Sequence, residues 1–250
     1  MKSLTFIILF IPSLLIAEEL KVSNESQLSV IQTGGNSSVE TYNLKTTSKL
    51  NKGLNNYELG GHYVLGTSKN KESGDVEKSA LNWDAYVQYA RDISEKTSLY
   101  GKFQMEGDEF SGYKQRDNYD IGAKYSFIKS DKKNLFAEAG LRYTVEKALI
   151  RDEDDEDVFK YNKGRLYSEY SEKKNKSLTY KFWIEYLPNF TDNEKYLFSF
   201  EPSLSFLLSE TFSFKFAYKG SYNNDPGRDE AGDRLEYLDY TTTTSLIAVY

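Results

Sequence analysis

Apolar and polar residues alternate along most of this chain, in segments of about ten residues, the usual length of a strand that crosses a bilayer. In one segment Ile121 and Tyr125 share a parity, whereas Asp120 and Lys124 occupy the other. Because successive side chains of a β-strand point to opposite faces, each segment predicts a strand with one apolar and one polar face. The twelve predicted strands are residues 24–33, 37–50, 56–66, 80–91, 97–106, 117–128, 135–147, 161–171, 177–187, 195–207, 212–222 and 236–250.

The last segment indicates how these strands are arranged. The even-numbered residues from Leu238 to Tyr250 are apolar or threonine, and the segment ends on an aromatic residue. Such a strand suits a closed, membrane-embedded barrel, because bilayer hydrocarbon tolerates no open sheet edge and the last strand must pair with the first. One segment alone is equally compatible with the last strand of a soluble β-sandwich.

The connection lengths favour the barrel. Connections after even-numbered strands are short, at 51–55, 92–96, 129–134, 172–176 and 208–211. Connections after odd-numbered strands are longer and charged at 67–79, 107–116, 148–160 and 223–235, although 34–36 and 188–194 are short. Outer-membrane barrels combine tight periplasmic turns with longer external loops, whereas a soluble sandwich has no reason to alternate in this way. The sequence therefore predicts an all-β protein, a transmembrane antiparallel up-and-down β-barrel of about 12 strands.

Composition agrees with a barrel rather than with membrane helices. Only 39% of the residues are hydrophobic and the mean hydropathy is -0.64, although 21 Tyr and 15 Phe are present. A spanning helix needs ~20 apolar residues, and no run beyond the N-terminus approaches that length. A barrel needs no such run, because half of every strand faces a polar interior. The formal net charge of -6 argues against nucleic acid as a partner.

The N-terminus predicts a cleaved signal peptide at residues 1–17, followed by an outer-membrane β-barrel at 18–250. Lys2 precedes an apolar core that ends at Ile16, and Ala17 stands before Glu18. We therefore expect export through the periplasm into the outer membrane of a Gram-negative envelope. The expected partners are outer-membrane lipids and the barrel assembly machinery. Without cysteine there is neither a disulfide nor a lipid-modification site.

Two short motifs resemble those of a known family. Leu28–Asn36 resembles the first strand and T-G-N turn of the YdiY-like family of salt-induced outer membrane proteins. Gly107–Arg116 is similar to that family's D-x-F-x-G-Y-x-x-R segment, and a glycine-aromatic strand, Asn118–Phe127, follows it. The chain departs from the pattern in an extra glycine in the first turn and in Lys124, where the family often repeats glycine. The resemblance covers 18–250 and implies an outer-membrane barrel of unassigned molecular function, with no catalytic residues to carry over.

Two features suggest chemistry at a site. His62 is the one histidine, and its parity predicts that it faces the interior. A barrel hydrolase or acyltransferase needs a nucleophile and an orienting partner within hydrogen-bond reach of such a base, and Tyr63 and Val64 supply no adjacent serine. Residues 151–157 contain six consecutive acids that suit Ca²⁺, but they lack the glycine and alternating spacing of a calcium loop, and a solvated external loop is the plainer interpretation. The sequence thus predicts no enzyme and no catalytic, cofactor-binding or metal-binding residue.

The polar parities predict a network of charges inside the barrel. Its basic members are Lys102, Lys124, Arg142, Arg165, Lys181 and Lys215, and its acidic members are Glu58, Asp84, Asp120, Glu138, Glu169, Glu185 and Glu201. Side chains fill barrels of about eight strands and leave a channel in those of 16–18, so twelve lies between. We expect a narrow or plugged, porin-like pore for small solutes or ions with a charge-balanced lumen. The alternative is a structural or envelope-stress barrel that acts through its external loops without transport, and a lipid-modifying or hydrolytic barrel enzyme is the weakest interpretation.

Overall fold

The structure is a computed structural model that describes residues 20–33, 37–70, 75–151, 155–226 and 234–249. Its strands are β1 Leu20–Thr33, β2 Ser37–Lys52, β3 Asn55–Asn70, β4 Val76–Asp92, β5 Thr97–Asp108, β6 Tyr113–Lys129, β7 Lys133–Ala148, β8 Val158–Lys173, β9 Leu178–Pro188, β10 Tyr196–Leu207, β11 Phe212–Asn223 and β12 Leu238–Val249. A 3₁₀ helix, Glu109–Ser111, links β5 to β6. Within the described ranges no helix is both long and apolar enough to cross a membrane.

Several predictions concern residues outside those ranges. The expected signal peptide at 1–17, the glycine turn at 34–36 and the terminal Tyr250 all lie outside the described residues. The same holds for 152–154, the middle of the acidic run.

The strands form one closed sheet in chain order. Each strand pairs antiparallel with the next, and β1 pairs with β12 to complete the circle. The prediction of a twelve-stranded antiparallel up-and-down barrel is therefore confirmed. The closure follows from the chain's alternation, because only a ring of strands leaves every polar face inside and every apolar face outside.

Several strands are longer than predicted. β1 begins at Leu20 rather than at 24, and β4 has 17 residues because it runs from Val76 to Asp92 rather than from 80 to 91. The added part of β4 contains Glu77 and Lys78, which break the apolar alternation while the pairing with β3 continues. About 9–11 residues suffice to cross the hydrocarbon, so β4 extends beyond it. The pattern of side chains therefore marked the apolar belt and not the ends of the hydrogen-bonded strand.

The two ends of the barrel differ as the connection lengths predict. One end carries the tight turns, of which the shortest is Gly53–Leu54, where Gly53 has a φ of 55°. The other end carries the longer loops. There Asp108 accepts a hydrogen bond from the backbone N–H of Phe110 at 3.0 Å and starts the 3₁₀ helix, which Gly112 ends with a φ of 82°. The alternation of loop length thus reflects an up-and-down barrel.

The distribution of side chains is the inverse of that in a soluble protein. Ile121 is 66% exposed and Leu59 is 62% exposed, and both lie on the outer parity of their strands. Asp120 is 2% exposed and Thr144 is 0% exposed, and both point inward. A belt of exposed aliphatic and aromatic side chains around a buried polar interior requires an apolar surrounding. The interior is therefore where a functional site can lie.

Candidate pore lumen

The pairing register places all thirteen members of the predicted charge network on the inner face of the barrel. One row of paired residues runs through Glu58, Gln88, Lys102, Asp120 and Arg142 on five successive strands. Parallel rows carry the remaining members: Asp84, Lys124, Glu138, Arg165, Glu169, Lys181, Glu185, Glu201 and Lys215. The register alone therefore brings the charges together within one enclosed space.

The densest contacts surround Arg165 on β8. Its guanidinium donates to Glu138 at 2.7 Å, to Glu185 at 2.7 Å and to the hydroxyl of Tyr100 at 3.1 Å. Because β8 lies between β7 and β9, one guanidinium joins carboxylates from both neighbouring strands. The side chains of Arg165 and Glu138 are each only 8% exposed. This part of the interior is filled by side chains.

A second ion pair extends the same cluster. Arg142 donates to both carboxylate oxygens of Asp120, at 2.6 and 2.8 Å. The Asp120 side chain is 1% exposed, and it also lies 4.0 Å from Arg165. We call Asp120, Glu138, Arg142, Arg165 and Glu185, together with Tyr100 and Lys102, the Arg165 cluster. It contains three acidic and three basic groups, so its formal charges cancel. Bidentate, charge-assisted bonds of this kind fix position as well as charge.

Two glycines make room for the cluster. Gly122 and Gly140 are paired on β6 and β7, on the inner face. A Cβ on Gly122 would lie 2.7 Å from the hydroxyl oxygen of Tyr100, and one on Gly140 would lie 2.9 Å from it. The end of the Tyr100 side chain therefore occupies space that a Cβ on either glycine would need, and its hydroxyl accepts a hydrogen bond from Arg165. The sequence pattern did not reveal this role, because glycine counts as neither apolar nor charged.

Three inward lysines lie over aromatic rings. The Nζ atoms of Lys102, Lys124 and Lys163 are 4.4, 3.6 and 5.0 Å from the ring centres of Tyr86, Phe136 and Tyr161, respectively. Within the described part of the chain, none of these lysines has a carboxylate oxygen within 4.0 Å. Cation–π contact stabilises a desolvated ammonium and leaves its charge unneutralised. The structure thus brings Lys102 and Lys124 into the lumen without placing them in ion pairs.

The other predicted members form separate pairs. Lys181 contacts Glu169 at 2.9 Å, and Lys215 contacts Glu201 at 2.9 Å. Tyr86 donates to Glu58 at 2.6 Å. The predicted residues therefore form one large cluster and several small ones rather than a single continuous network.

Sequence reasoning missed two inward cations, Arg116 and Lys163. Arg116 contacts Glu146 at 2.5 Å and lies 3.6 Å from the ring centre of Tyr113. The predicted loop 107–116 contained Arg116, whereas β6 begins at Tyr113. Lys163 shares the parity of Arg165, and that shared parity was the signal that could have identified it.

His62 has two polar neighbours. One ring nitrogen lies 3.0 Å from the side-chain oxygen of Asn43, and the other lies 3.4 Å from a carboxylate oxygen of Asp84. This arrangement orients the ring, as a catalytic base requires, but these contacts include no hydroxyl nucleophile. Among the residues that the structure describes, no group of three or more His, Asp or Glu residues could hold a metal ion.

The strands β10, β11 and β12 carry a different inner surface. Half of its inward side chains are small: Ser199, Ser203, Ser205, Ser213, Ala217, Ser221, Thr241, Thr243 and Ser245. The Ser245 side chain is 2% exposed and contacts the Ser29 hydroxyl at 2.6 Å, while Gln27 donates to it at 2.7 Å. We call β5–β9 the charged wall, and β10–β12 with β1 the hydroxyl wall.

The long-loop end of the barrel is tied by ion pairs. Asp225 contacts Lys195 at 2.9 Å and Arg234 at 3.0 Å, so the connection after β9 is joined to the connection after β11. Partial burial would lower the pKa of Lys195, but the hydrogen bond and negative charge of Asp225 outweigh it and raise that pKa above its usual range. The ammonium is therefore charged at neutral pH, and the two loops stay linked.

The exposed apolar belt, the closed sheet and the polar interior define the class of membrane-spanning β-barrels. Within that class, the chain belongs to the DUF481 family of proteins of unknown function, whose family model matches residues 26–250. No curated protein matches the chain significantly.

Several solved structures are similar to this chain at low sequence identity. The NanC porin is 11% identical, with a TM-score of 0.50 over 92% of this chain and 98% of its own. An outer membrane channel from Pseudomonas putida F1 is 6% identical, with a TM-score of 0.49 over 95% of this chain and 97% of its own. The translocator domain of the autotransporter NalP from Neisseria meningitidis is 9% identical, with a TM-score of 0.48 over 92% and 88%.

Proposed function

We propose that the protein is a narrow pore of the Gram-negative outer membrane, with a charge-balanced lumen that passes only small ions or solutes. The observation that carries this proposal is the burial of the Arg165 cluster. In a wide aqueous channel a guanidinium and a carboxylate facing the bore would be hydrated, whereas Arg165 and Glu138 are each 8% exposed. The cluster therefore narrows the passage from the side of the charged wall.

The balance of charge supports weak ion selectivity. The three acids of the Arg165 cluster offset its three bases, and the pairs Lys181–Glu169 and Lys215–Glu201 are neutral in sum. A passing ion of either sign therefore meets nearly equal attraction and repulsion. The expected conductance is small and only weakly selective.

The test is to neutralise three acids, Glu138, Glu169 and Glu185, to glutamine. Two of them hold Arg165 and the third holds Lys181. The change therefore leaves Lys181 without a carboxylate partner and Arg165 with only the more distant Asp120, at 4.0 Å, and it loosens the packing. We expect single-channel conductance in planar bilayers to rise and reversal potentials to shift toward anion preference. Porin-like conductance from the unchanged protein would contradict a narrowed lumen, and an unchanged triple variant would contradict the role of the network.

The alternative function is a structural or envelope-stress barrel that acts through its external loops. The linkage of two loops by Asp225 favours it, because ordered loops can present a fixed surface. A barrel without measurable conductance, and with a phenotype that depends on Asp225, would favour this second function over the first.

We further infer the route and the family subgroup. The signal peptide at 1–17 directs export, insertion requires the barrel assembly machinery, and outer-membrane lipids surround the apolar belt. The segment Gly107–Arg116 supports a place in the YdiY-like subgroup, since Asp108 and Gly112 begin and end the 3₁₀ helix there. Nothing in the contacts of His62 supports an enzymatic role.

The signal peptide can be tested by mass spectrometry of the exported protein. Its N-terminus should be Glu18, and retention of residues 1–17 would contradict cleavage of a signal peptide there.

A further inference from the structure

The barrel closes along a seam between β1 and β12 that is shorter than its other strand pairings. Four residue pairs join the two strands, Glu25–Leu28 with Leu246–Val249. By comparison, β1 pairs with β2 over fourteen residues and β11 pairs with β12 over eleven. Beyond Leu28 and Leu246, the described residues of both strands continue as strands toward the long-loop end without pairing with each other.

The backbone pairing of the two strands ends at a polar contact. Ser29 and Ser245 would form the next pair, and their hydroxyl oxygens lie 2.6 Å apart. We call the unpaired stretch beyond Leu28 and Leu246, between Ser29–Thr33 and Leu238–Ser245, the wedge. Ile31 has inner parity, yet it is 39% exposed at the wedge. Since hydrocarbon leaves no backbone group unsatisfied, these strand edges require water from the lumen or a polar ligand.

An apolar groove lies on the outside of the barrel directly beside the seam. Its volume is about 540 Å³, within the range of roughly 300–1,000 Å³ that small-molecule sites occupy. Leu28, Leu44, Phe212 and Leu246 line it together with the small residues Gly61 and Ala248. Leu28 and Leu246 also form the last pair below the wedge, so the groove and the wedge are continuous.

A cation lies on the inner side of the same seam. Lys45 pairs with Gln27, whose amide donates to Ser245 at 2.7 Å. In the described ranges Lys45 has no carboxylate oxygen within 4.0 Å. Two acids, Glu201 and Asp84, and two bases, Lys215 and Lys181, face Lys45. Each has another partner: Glu201 pairs with Lys215, Lys181 pairs with Glu169, and Asp84 lies beside His62. Lys45 is therefore available to an anion that arrives through the wedge.

We propose that the wedge is a lateral portal through which a single-chain fatty carboxylate passes between the bilayer and the lumen. The hydrocarbon chain lies in the outer groove, and the carboxylate reaches Lys45 and the amide of Gln27. An apolar groove outside and an unpaired ammonium inside, connected by an unpaired strand edge, together match one apolar chain with one negative head. The portal requires a barrel in a bilayer but does not require that the lumen conduct ions.

The barrel contains a matched control site. A second outer groove of about 500 Å³ is lined by Ala123, Ala139, Leu166 and Ile184, and Lys124 lies on its inner side. There the wall is continuous, since Ala123, Ala139 and Leu166 are paired in register across β6, β7 and β8. The two sites share a groove and an inner lysine that has no carboxylate oxygen within 4.0 Å in the described ranges. They differ in the wedge and in the ring of Phe136, which Lys124 contacts at 3.6 Å.

The first experiment is photolabelling of the full chain in phosphatidylcholine vesicles. The probe is palmitate with a diazirine next to its carboxylate, and labelled positions are mapped by mass spectrometry. We expect adducts on inward residues around Gln27 and Lys45 and none on inward residues around Lys124. Lys45→Gln should reduce inward labelling at the seam roughly tenfold, the size of one lost charge-assisted bond, whereas Lys124→Gln should leave it unchanged. Labelling confined to outward residues at both grooves would overturn the proposal.

The second experiment closes the wedge. Since the chain has no cysteine, Ile31→Cys and Thr243→Cys can be joined selectively by a short bis-maleimide linker. The linker should reduce inward labelling at the seam to the level of the control groove. Ser199→Cys joined to Ser221→Cys, whose native hydroxyls are 2.8 Å apart across paired strands, should have no effect. Heat-modifiable mobility on gels verifies that each linked barrel is folded.

Hydrogen exchange provides an independent measurement that does not depend on the linked variants. The amides of Thr241–Thr244 face β1 or β11 in turn, so those facing β1 should exchange rapidly while those facing β11 stay protected. Uniform protection along β12 would show that the wedge is closed in the bilayer and would overturn the proposal. Ion conductance measured in parallel tests the narrow pore separately, because labelling through the seam does not depend on it.

Discussion

The charged wall and the hydroxyl wall use the same backbone pairing but fill the lumen in opposite ways. On the charged wall, long side chains such as Arg165 and Tyr100 reach across several strands and bury one another. On the hydroxyl wall, side chains such as Ser203 and Ser245 stay close to their own strands, and the charged contact there is the Lys215–Glu201 pair. The charged wall is therefore held together by its side chains as well as by its sheet, whereas the hydroxyl wall depends mainly on backbone pairing.

This contrast explains where the barrel is weakest. A guanidinium that binds carboxylates on β7 and β9 connects strands on both sides of β8, so that separating them breaks charged contacts as well as backbone bonds. At the seam, the corresponding connection consists of Gln27, Ser29 and Ser245. Neutral hydrogen bonds contribute less than buried charged ones, whose removal leaves an uncompensated charge. A short seam with only neutral contacts is the part of the ring that can open.

The largest expected effect comes from Arg165→Met. The substitution keeps most of the volume but leaves Glu138 and Glu185 without their shared partner, and removing one member of a buried pair costs about 3–5 kcal/mol. We expect the free energy of unfolding, measured by urea titration in lipid vesicles, to fall by that amount.

Lys215→Met is the matched control on the hydroxyl wall. The side chains of Lys215 and its partner Glu201 are 15% and 18% exposed, about twice the exposure of Arg165 and Glu138, so that water can compensate part of the carboxylate charge that is left. We expect a smaller loss than for Arg165→Met. Equal losses on the two walls would contradict the distinction between them.

The sequence predicted much of this fold because a period of two survives in nearly every strand. Tyr119, Ile121 and Tyr125 remain on one face and Asp120 and Lys124 on the other, whatever the neighbouring strands are. The inward orientation of all thirteen network residues follows from that local regularity together with closure of the ring. Neither requires knowledge of a specific contact.

The partners within the lumen could not be predicted in the same way. Arg165 contacts Glu138 and Glu185, which are 27 and 20 residues away along the chain. Which inward side chains meet depends on the register of three strands at once, and a shift by two residues would keep every parity while changing every pair. The stacking of Lys102 and Lys124 on aromatic rings was hidden for the same reason, because charge alone suggested ion pairs.

A smaller effect is expected from Gly140→Ala, which tests how the charged wall is packed. The new Cβ would lie 2.4 Å from the backbone oxygen of Ile121 and 2.9 Å from the Tyr100 hydroxyl. Since backbone cannot move as easily as a side chain, overpacking of this kind costs about 1–3 kcal/mol. Urea unfolding should show that loss, together with a changed tyrosine environment in near-ultraviolet circular dichroism.

Gly101→Ala is the control for this substitution. A Cβ there would have an ordinary contact, 3.8 Å from the backbone oxygen of Asp120. We expect stability close to that of the unchanged protein. If both alanines destabilised the barrel equally, any glycine in these strands would be sensitive to substitution. The loss at Gly140 could then not be attributed to the close packing around Tyr100.

The smallest expected effect concerns the hydroxyl wall and comes from Ser245→Ala. The substitution removes the acceptor of Gln27 and the partner of Ser29, both neutral groups, so a loss of about 0.5–1.5 kcal/mol is expected from a typical hydrogen bond. The global free energy of unfolding should therefore change little. Exchange of the β12 amides next to the seam should nevertheless accelerate, because the contact that limits the wedge is gone.

Ser221→Ala is the control for this substitution. It removes a similar hydroxyl contact, at 2.8 Å, between two residues that are paired across β10 and β11, and it should leave local exchange unchanged. If the two alanines accelerated exchange equally, the seam would be no weaker than the rest of the ring, and the two walls would differ in chemistry alone.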